Sequence, residues 1–214
     1  MARDSKASRE KILAIAISMF ARKGFDGARM DGIAKEANVN KALIYYYFKS
    51  KSMILEEIFK TFDQEASTLV SGFFQDQIDL TDTNWIRSFF DTYMDFLEDR
   101  KDILRIMITE SLKSNDAEPP IFGFLKVLFQ QESTDALINT MKQQGYALDD
   151  QKEQILVTEF FTDIIPIISY IVFKDKWSRF FDIDKQKLKD LFFEAYKSTH
   201  IAYHLSQTPD KITG

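Results

Sequence analysis

Residues 37–51 read ANVNKALIYYYFKSK, and this stretch decides the fold. Asn38 tolerates a positive φ, and Asn40 can accept the amide hydrogen bonds that start a helix. The segment therefore predicts a tight turn followed by a short helix that begins at Lys41. Ser50 is the predicted N-cap of the next helix.

The short helix has two different sides when it is laid out at about 100° per residue. Its inner side carries Ile44 and Phe48, with Tyr47 near the margin. Its outer side is aromatic and uncharged, with a lysine beside it: Lys41, Ala42, Tyr45 and Tyr46. An outer face of this kind favours insertion into a groove lined by phosphates over a merely solvated surface.

A longer helix and a second short helix precede this segment. Apolar residues of the longer helix recur at helical spacing: Ile12, Leu13, Ala16, Ile17 and Phe20. Gly24 is placed to end that helix with a positive φ, and a short helix is predicted around residues 30–37. Two short helices joined by a tight turn form a helix-turn-helix, in which the second helix enters the major groove of DNA.

The charge distribution agrees with a nucleic-acid partner. The chain has 214 residues and a net charge of -5. Residues 1–51 contain 11 of the 28 Lys and Arg but only 5 of the 33 Asp and Glu, a balance of +6, which leaves -11 on the remainder. A basic segment on an acidic body is typical of a nucleic-acid-binding region, although a solvated basic face would give the same count.

The order and spacing of these motifs resemble the N-terminal domain of the tetracycline-repressor (TetR) family of bacterial transcriptional regulators. The resemblance covers about residues 8–60 and rests on Ile12-Leu13-Ala14 through Phe20, Gly24-Phe25, Ile33-Ala34, Ala37-Asn38-Val39, Ile44 through Phe48 and Lys49-Ser50-Lys51. It implies an all-α fold, with an N-terminal three-helix helix-turn-helix DNA-binding domain and a C-terminal helical ligand-binding and dimerisation domain. The corresponding expected domains are residues 1–51 and residues 52–214.

Three positions depart from the family pattern. Asn38 stands where Gly is usual, and both residues tolerate the left-handed conformation. Ala28 and Arg29 stand where Thr is usual, so the second helix lacks an obvious N-cap, although Arg29 could reach a phosphate. Leu43 replaces a frequent Thr or Ser, which would exchange a hydroxyl contact for an apolar contact with a thymine methyl.

The resemblance also implies which residues contact DNA. They are Arg29, Lys41, Ala42, Leu43, Tyr45, Tyr46, Tyr47 and Lys51. Hydroxyl and ammonium contacts to phosphate position the protein, whereas Lys41 and the apolar side chains would read bases. For Tyr47, a place in the core under the helix is the alternative.

The remaining sequence predicts helices near residues 51–77, 83–98, 101–113, 119–144, 152–174 and 185–205. Pro166 should kink the fifth of these. The apolar stripes of the last two helices are wider than one packed neighbour requires, and in the family these helices form the dimer interface. The predicted interface residues are Phe160, Ile164, Ile167, Ile171, Leu188, Phe192 and Ala195. A wider internal core is the alternative.

Seventeen of the 20 Phe lie after residue 51, which raises the possibility of an apolar cavity for a small effector. The candidate lining residues are Trp85, Phe89, Tyr93, Arg105, Met107, Glu110, Phe129 and Phe161. For each of them taken alone, ordinary core is the favoured alternative. A cavity of this composition favours a hydrophobic or aromatic effector.

The sequence offers no catalytic, cofactor or metal site. There is no Cys, no Gly-rich phosphate loop and no nucleophile elbow, so an enzyme is not expected. His200 and His204 have the spacing of paired metal ligands, but the sequence shows no third ligand. Targeting and membrane signals are also absent from the sequence. The longest apolar run, Ile164 to Phe173, is half of the roughly 20 residues that a spanning helix needs.

These observations predict a cytoplasmic, nucleoid-associated bacterial regulator. It would bind a palindromic double-stranded DNA operator as a homodimer, act most often as a repressor, and be released by a small effector. Two alternatives stay open: an effector-independent or architectural DNA-binding protein, and a helical ligand-binding protein without DNA recognition.

Overall fold

The computed structural model describes residues 2–73, 82–115, 118–130 and 152–206. Every regular element in these ranges is helical, which confirms the predicted all-α class. The chain divides into two compact units. Unit 1 comprises residues 1–66 and 100–127, and unit 2 comprises residues 67–99 and 128–214. The expected domains, residues 1–51 and 52–214, were defined by function and do not coincide with these compact units. They stay a prediction.

The α-helices of the described ranges are numbered in chain order. They are α1 (Ala2–Gly27), α2 (Met30–Glu36), α3 (Lys41–Tyr47), α4 (Lys51–Phe73), α5 (Thr83–Glu98), α6 (Lys101–Lys113), α7 (Pro120–Gln130), α8 (Lys152–Thr158), α9 (Ile165–Phe181), α10 (Lys185–Tyr196) and α11 (Ala202–Ser206). Two π-helical segments, π1 (Glu159–Ile164) and π2 (Lys197–Ile201), continue α8 into α9 and α10 into α11. The helix predicted over 152–174 therefore extends to residue 181. The predicted ends beyond residues 73 and 130 lie outside the described residues.

The turns around α2 and α3 have the geometry that their residues predict. Gly24 has a φ of 73° and interrupts α1, and Asn38 has a φ of 51° in the turn before α3. The side chain of Asn40 accepts a hydrogen bond of 2.7 Å from the amide of Leu43. Ser50 accepts one of 3.2 Å from the amide of Met53 at the start of α4. Arg29 occupies the N-cap position of α2 and makes no capping hydrogen bond through its side chain.

The core of unit 1 fixes the helix-turn-helix. It is built from the inner faces of α1, α2, α3 and α4, with a contribution from α6: Ile12, Ala16, Phe20, Ile33, Ala37, Ile44, Phe48, Ile54, Ile58 and Ile106. Ile44 and Phe48 are buried, as predicted for the inner side of α3. Exposing either side chain would cost about 1.5–3 kcal/mol. Burial of Ile44 and Phe48 therefore fixes the orientation of α3, with its opposite side facing outward.

Unit 2 packs α5 against α9 and α10 around aromatic rings. Phe90 of α5 lies 5.0 Å from Phe193 and 5.5 Å from Tyr196, measured between ring centroids. Pro166 stands in the first turn of α9, directly after π1. Proline cannot donate an intrahelical hydrogen bond, and a π-helical segment ends directly before this turn. The kink at Pro166 stays a prediction.

Candidate DNA-binding site

The outer side of α3 carries the predicted contact residues. Four side chains on this side are exposed: Lys41, Ala42, Tyr45 and Tyr46. Tyr46 is the most accessible of the three tyrosines of α3, with 71% of its surface exposed. Leu43 is half-buried. The side of the helix opposite Ile44 thus presents phenol hydroxyls, an ammonium group and small apolar surface, which are the groups that contact phosphates and base edges.

Tyr47 is half-buried and packs against the core of unit 1. Its ring makes an edge-to-face contact with Tyr46, with 5.2 Å between the ring centroids. The structure therefore favours the core alternative for this residue. Through this contact Tyr47 supports the position of the Tyr46 ring.

Lys41 is bound to an acidic neighbour that the sequence analysis did not consider. Its Nζ donates a hydrogen bond of 2.9 Å to Asp31 on α2, and this hydrogen bond raises the pKa of Lys41. Both side chains are mostly exposed. An exposed ion pair contributes little to stability, so Lys41 can exchange Asp31 for a phosphate or a guanine edge at small cost.

Lys51 does not have the free ammonium group that a phosphate contact requires. Its Nζ donates to the backbone carbonyls of Phe25 and Ala28, with a longer contact of 3.5 Å to that of Asp26. The same ammonium group lies 4.2 Å from the centroid of the Phe25 ring. Its three donors face acceptors in the turn between α1 and α2. This geometry favours a structural role for Lys51 over the predicted phosphate contact.

Arg29 is exposed at the start of α2 and makes no capping contact there. A free guanidinium at a helix N-terminus suits a phosphate oxygen, so the predicted contact at Arg29 stays a prediction that the geometry permits.

The predicted effector residues are divided between the two units. Trp85, Phe89 and Tyr93 stack successively along α5, with 5.9 and 5.8 Å between ring centroids. Phe161, in the same unit, is 64% exposed. Arg105, Met107 and Glu110 belong to unit 1, where Arg105 is exposed beside Asp102 and Met107 is buried. The side chain of Phe129 lies outside the described residues.

A small cavity in unit 2 is lined by none of the residues that were predicted to contact an effector. Its volume is about 170 Å³ and its walls are Tyr170, Lys174, Lys185, Gln186, Leu188 and Lys189. Drug-sized ligands need roughly 300–1,000 Å³. The three lysines already pair with carboxylates of unit 2, so this cavity does not support an effector site.

The predicted dimer residues need a correction. Ile164, Ile167 and Ile171 are each no more than 3% exposed within a single chain, so a second copy cannot cover them. They belong to the core of unit 2, which was the stated alternative. Phe160, Leu188 and Phe192 are half-buried and Ala195 is exposed.

The accessible apolar surface of α9 lies on other residues. We call it the α9 aromatic stripe and define it as Phe173, Trp177, Phe180 and Phe181, each at least half exposed. The helical spacing of these aromatics was visible in the sequence. Three of the four lie beyond residue 174, where the helix was predicted to end.

Asp63 on α4 is the carboxyl of unit 1 with the least favourable surroundings. Its Oδ1 is buried and has no hydrogen-bond partner among the described residues. Burial raises the pKa of Asp63 to about 6. Because the folded state holds this proton more tightly than the unfolded chain, Asp63 costs nothing below pH ~4, and its cost grows as the pH rises to about 6.

We therefore expect Asp63→Asn to raise the free energy of unfolding at pH 7. A shift of about two pKa units corresponds to at most ~3 kcal/mol, which solvent screening of the partly exposed group reduces to about 1–2 kcal/mol. Urea unfolding at one protein concentration and at pH 4, 5, 6 and 7 measures the difference in the free energy of unfolding between Asp63→Asn and the unmodified chain. The gain should vanish at pH 4. Glu56→Gln, at an exposed position of the same helix, is the control and should change stability by less than about 0.5 kcal/mol. A gain independent of pH would contradict the assignment.

Residues 12–58 match the family described as bacterial regulatory proteins, tetR family. These residues begin in α1 and end in α4, and they include the turns and the exposed helix described above. The DNA-binding segment of this chain is therefore of the tetR type. This family consists of DNA-binding transcriptional regulators and not of enzymes, as the sequence analysis expected.

Two curated relatives illustrate how the similarity is distributed. The HTH-type transcriptional repressor SCO4008 of Streptomyces coelicolor is 32% identical over 121 residues, which are 56% of this chain and 57% of that protein. The biofilm operon icaADBC HTH-type negative transcriptional regulator IcaR of Staphylococcus aureus is 46% identical over 52 residues, 24% of this chain and 28% of that protein. The matches thus span about half of the first relative and a quarter of the second.

Solved tetR-family structures share the fold over nearly the whole chain. A TetR-family transcriptional regulator from Syntrophomonas wolfei superposes with a TM-score of 0.69 at 17% identity, over 92% of this chain and 96% of that one. One from Marinobacter aquaeolei VT8 gives 0.68 at 17% identity, over 92% and 98%. At this identity the likeness establishes the fold, including the C-terminal helices that the matched segment leaves out.

Proposed function

We propose that this protein is a tetR-family transcriptional repressor that binds a palindromic operator as a homodimer. The observation that carries the proposal is the exposed side of α3, where Lys41, Tyr45 and Tyr46 project from a helix fixed by Ile44 and Phe48. A helix-turn-helix places such a face in the major groove. The relatives named as a repressor and a negative regulator favour repression. We place the protein in the cytoplasm, at the nucleoid.

The homodimer is supported by the apolar surface of unit 2. The stretch Glu153–Phe181 contains a segment of 18 residues with a mean hydropathy of 1.8, and only 22% of that segment is buried in the chain. By length and composition alone, this stretch could cross a membrane. The sequence analysis, which considered only the run of ten apolar residues, did not expect this. The α9 aromatic stripe adds the exposed rings of Trp177, Phe180 and Phe181 beyond this segment, and a second copy that covers both surfaces would account for them without a membrane.

The dimer gives the operator its symmetry. Two recognition helices related by a two-fold axis read two half-sites about one DNA turn apart, roughly 34–36 Å. A small effector would act by binding better to a form in which this spacing is wrong, and it would weaken DNA binding only by its differential affinity for that form. The stacked rings of Trp85, Phe89 and Tyr93 favour a hydrophobic or aromatic effector.

The proposal is tested by titrating fluorescent promoter DNA with the protein in the presence of random competitor DNA, over a salt series. We expect binding that is tighter to one palindromic site than to random DNA and that weakens as salt rises. An effector-independent or architectural protein would bind without such a preference. Salt-independent binding, or no binding, would leave a helical ligand-binding protein and contradict the proposal.

Two substitutions on α3 test the recognition surface. Lys41→Ala removes a cation and Tyr45→Phe removes one hydroxyl, and both side chains are exposed, so the fold should be unaffected. We expect each to weaken operator binding about 5- to 100-fold, as the loss of one direct contact does. Binding titrations with circular dichroism as the folding check measure this. Lys35→Ala on the neighbouring helix is a control, and equal losses there would mean that the surface is only a general basic patch.

A further inference from the structure

Three potential metal ligands that are distant in sequence meet in unit 2. His204 Nε2 lies 2.9 Å from Glu159 Oε1, and His200 Nε2 lies 3.6 Å from Glu159 Oε2. One ligand atom from each of the three side chains lies within 4.8 Å of the others. The sequence analysis found the two histidines but no third ligand. The structure supplies it from the start of π1, 41 residues before His200.

The three side chains are largely shielded from solvent. Their exposed fractions are 15% for Glu159, 7% for His200 and 13% for His204. An exposed group of acidic residues is common without a metal, whereas two imidazoles and a carboxylate brought together below the surface form the donor set that borderline divalent metals prefer.

A hydrogen-bond chain fixes the orientation of His200. The hydroxyl of Thr162 donates its proton to the carbonyl of Thr158, at 2.7 Å. The same oxygen lies 2.9 Å from His200 Nδ1, so it can only accept there, and Nδ1 carries a hydrogen. In the neutral imidazole, Nε2 is then a bare lone pair. That lone pair faces a carboxylate oxygen at 3.6 Å, and a cation between the two acceptors would satisfy both.

The second hydrogen bond of His200 is of the type that metal-binding histidines make. Such histidines almost always donate their other ring N–H to an oxygen, which sets the tautomer and the ring orientation. Thr162 provides this oxygen from the same π-helical segment that provides Glu159. The polar chain therefore positions a ligand nitrogen.

The two π-helical segments bring the ligands together. Glu159 is the first residue of π1, His200 lies in π2, and His204 follows one turn later in α11. The segments pack against each other within unit 2. π-helical turns in otherwise regular helices frequently occur at functional sites, because the extra residue redirects the side chains on one face.

We propose that Glu159, His200 and His204 form a binding site for one divalent transition-metal ion of the zinc class. The set of two imidazoles and one carboxylate leaves a coordination position open for water or an anion, as in three-ligand zinc sites. Tetrahedral zinc needs ligand atoms roughly 3.3–3.5 Å apart, which follows from metal–ligand distances of about 2.0–2.1 Å. Small rotations of the three side chains reach this geometry from the observed separations. His204 exchanges its hydrogen bond with Glu159 for the metal.

The test uses the full-length protein with any affinity tag removed, treated with chelator and desalted. Zn²⁺ is titrated against a chromogenic chelator, and Co²⁺ is titrated with its visible absorption as a reporter of coordination by nitrogen and oxygen. We expect one ion per chain, and a rise in Tm on addition of Zn²⁺ because the ion binds the folded state. No binding of either ion at 100 µM would overturn the proposal and leave Glu159 and His204 as a structural ion pair.

Variants separate this site from adventitious binding elsewhere. Glu159→Gln, His200→Asn and His204→Asn should each lower the affinity for Zn²⁺ at least 100-fold. Thr162→Val keeps all three ligands and should lower it about 10- to 100-fold, as loss of an orienting hydrogen bond does. Glu194→Gln, an exposed carboxyl on α10 that pairs with Lys197, is the matched control and should leave affinity unchanged. Unchanged affinity in Glu159→Gln and His204→Asn would overturn the proposal.

Circular dichroism of each variant without metal checks that the fold is retained. If a ligand variant does not fold, Thr162→Val and the Co²⁺ spectrum of the unmodified chain still decide the question. None of these measurements requires DNA, so their failure would not affect the proposed repressor function.

Discussion

The double variant Trp177→Glu, Phe180→Glu is expected to sediment as a monomer at micromolar concentration, and the unmodified chain is expected to sediment as a dimer. Phe180 is 82% exposed and Trp177 half exposed in the single chain, so carboxylates at these positions are tolerated by the monomer fold. In a symmetric dimer each substitution occurs twice. Truncation of a central aromatic residue costs about 2 kcal/mol or more, and the dimer should weaken at least ~10³-fold.

The same variant should lose operator affinity although its recognition helix is untouched. Two half-sites held by one dimer bind with an avidity that a monomer lacks, so the affinity for the palindromic operator is expected to fall about 10²-fold or more. Binding to a single half-site should change little. Sedimentation velocity and binding titrations on full and half operators measure the two effects on one preparation.

A matched control distinguishes an interface from any exposed apolar side chain. Leu112 on α6 is 83% exposed and lies in unit 1, away in sequence from the stripe. Leu112→Glu should remain dimeric and retain operator affinity. A double variant that stays dimeric would show that the α9 aromatic stripe is not the interface.

The helix-turn-helix was predictable because local chemistry specifies it. Asn38, Asn40 and Ser50 act through backbone conformation and hydrogen bonds to residues at most three positions away, so sequence spacing alone fixes their roles. Periodicity placed Ile44 and Phe48 inside for the same reason. The family resemblance covered this region and agreed with it.

The errors concern contacts between elements that are distant in sequence. Ile164, Ile167 and Ile171 have the spacing of an apolar face, but the sequence does not tell whether α5 and α10 or a second copy covers that face. Glu159 was missed as a neighbour of His200 because the pairing depends on two π-helical segments, which no period of 3.6 residues reveals. The hydrogen bonds of Lys51 were not foreseen because the acceptors for its ammonium group lie more than 20 residues earlier.

Lys51→Met is expected to lower the free energy of unfolding by about 2–3 kcal/mol, since hydrogen bonds to a charged group contribute about 1.5–3 kcal/mol. Methionine retains an aliphatic chain of similar length but cannot donate to the carbonyls of Phe25 and Ala28 or interact as a cation with the Phe25 ring. Urea unfolding measures the loss. Lys49→Met, two residues earlier and exposed, should change stability by less than about 0.5 kcal/mol.

The salt dependence of operator binding separates the two roles that Lys51 could have. A phosphate contact releases counterions, so its removal would reduce the slope of log affinity against log salt by about 1 per site while stability stayed unchanged. A lysine that holds the turn between α1 and α2 gives the opposite pattern. In that case Lys51→Met lowers the free energy of unfolding, while the folded protein keeps the same slope of log operator affinity against log salt. Lowering the temperature then restores operator affinity, because a larger fraction of the variant has the folded turn. A reduced slope without loss of stability would return Lys51 to the DNA-contact surface and leave its hydrogen bonds to the turn as a resting arrangement.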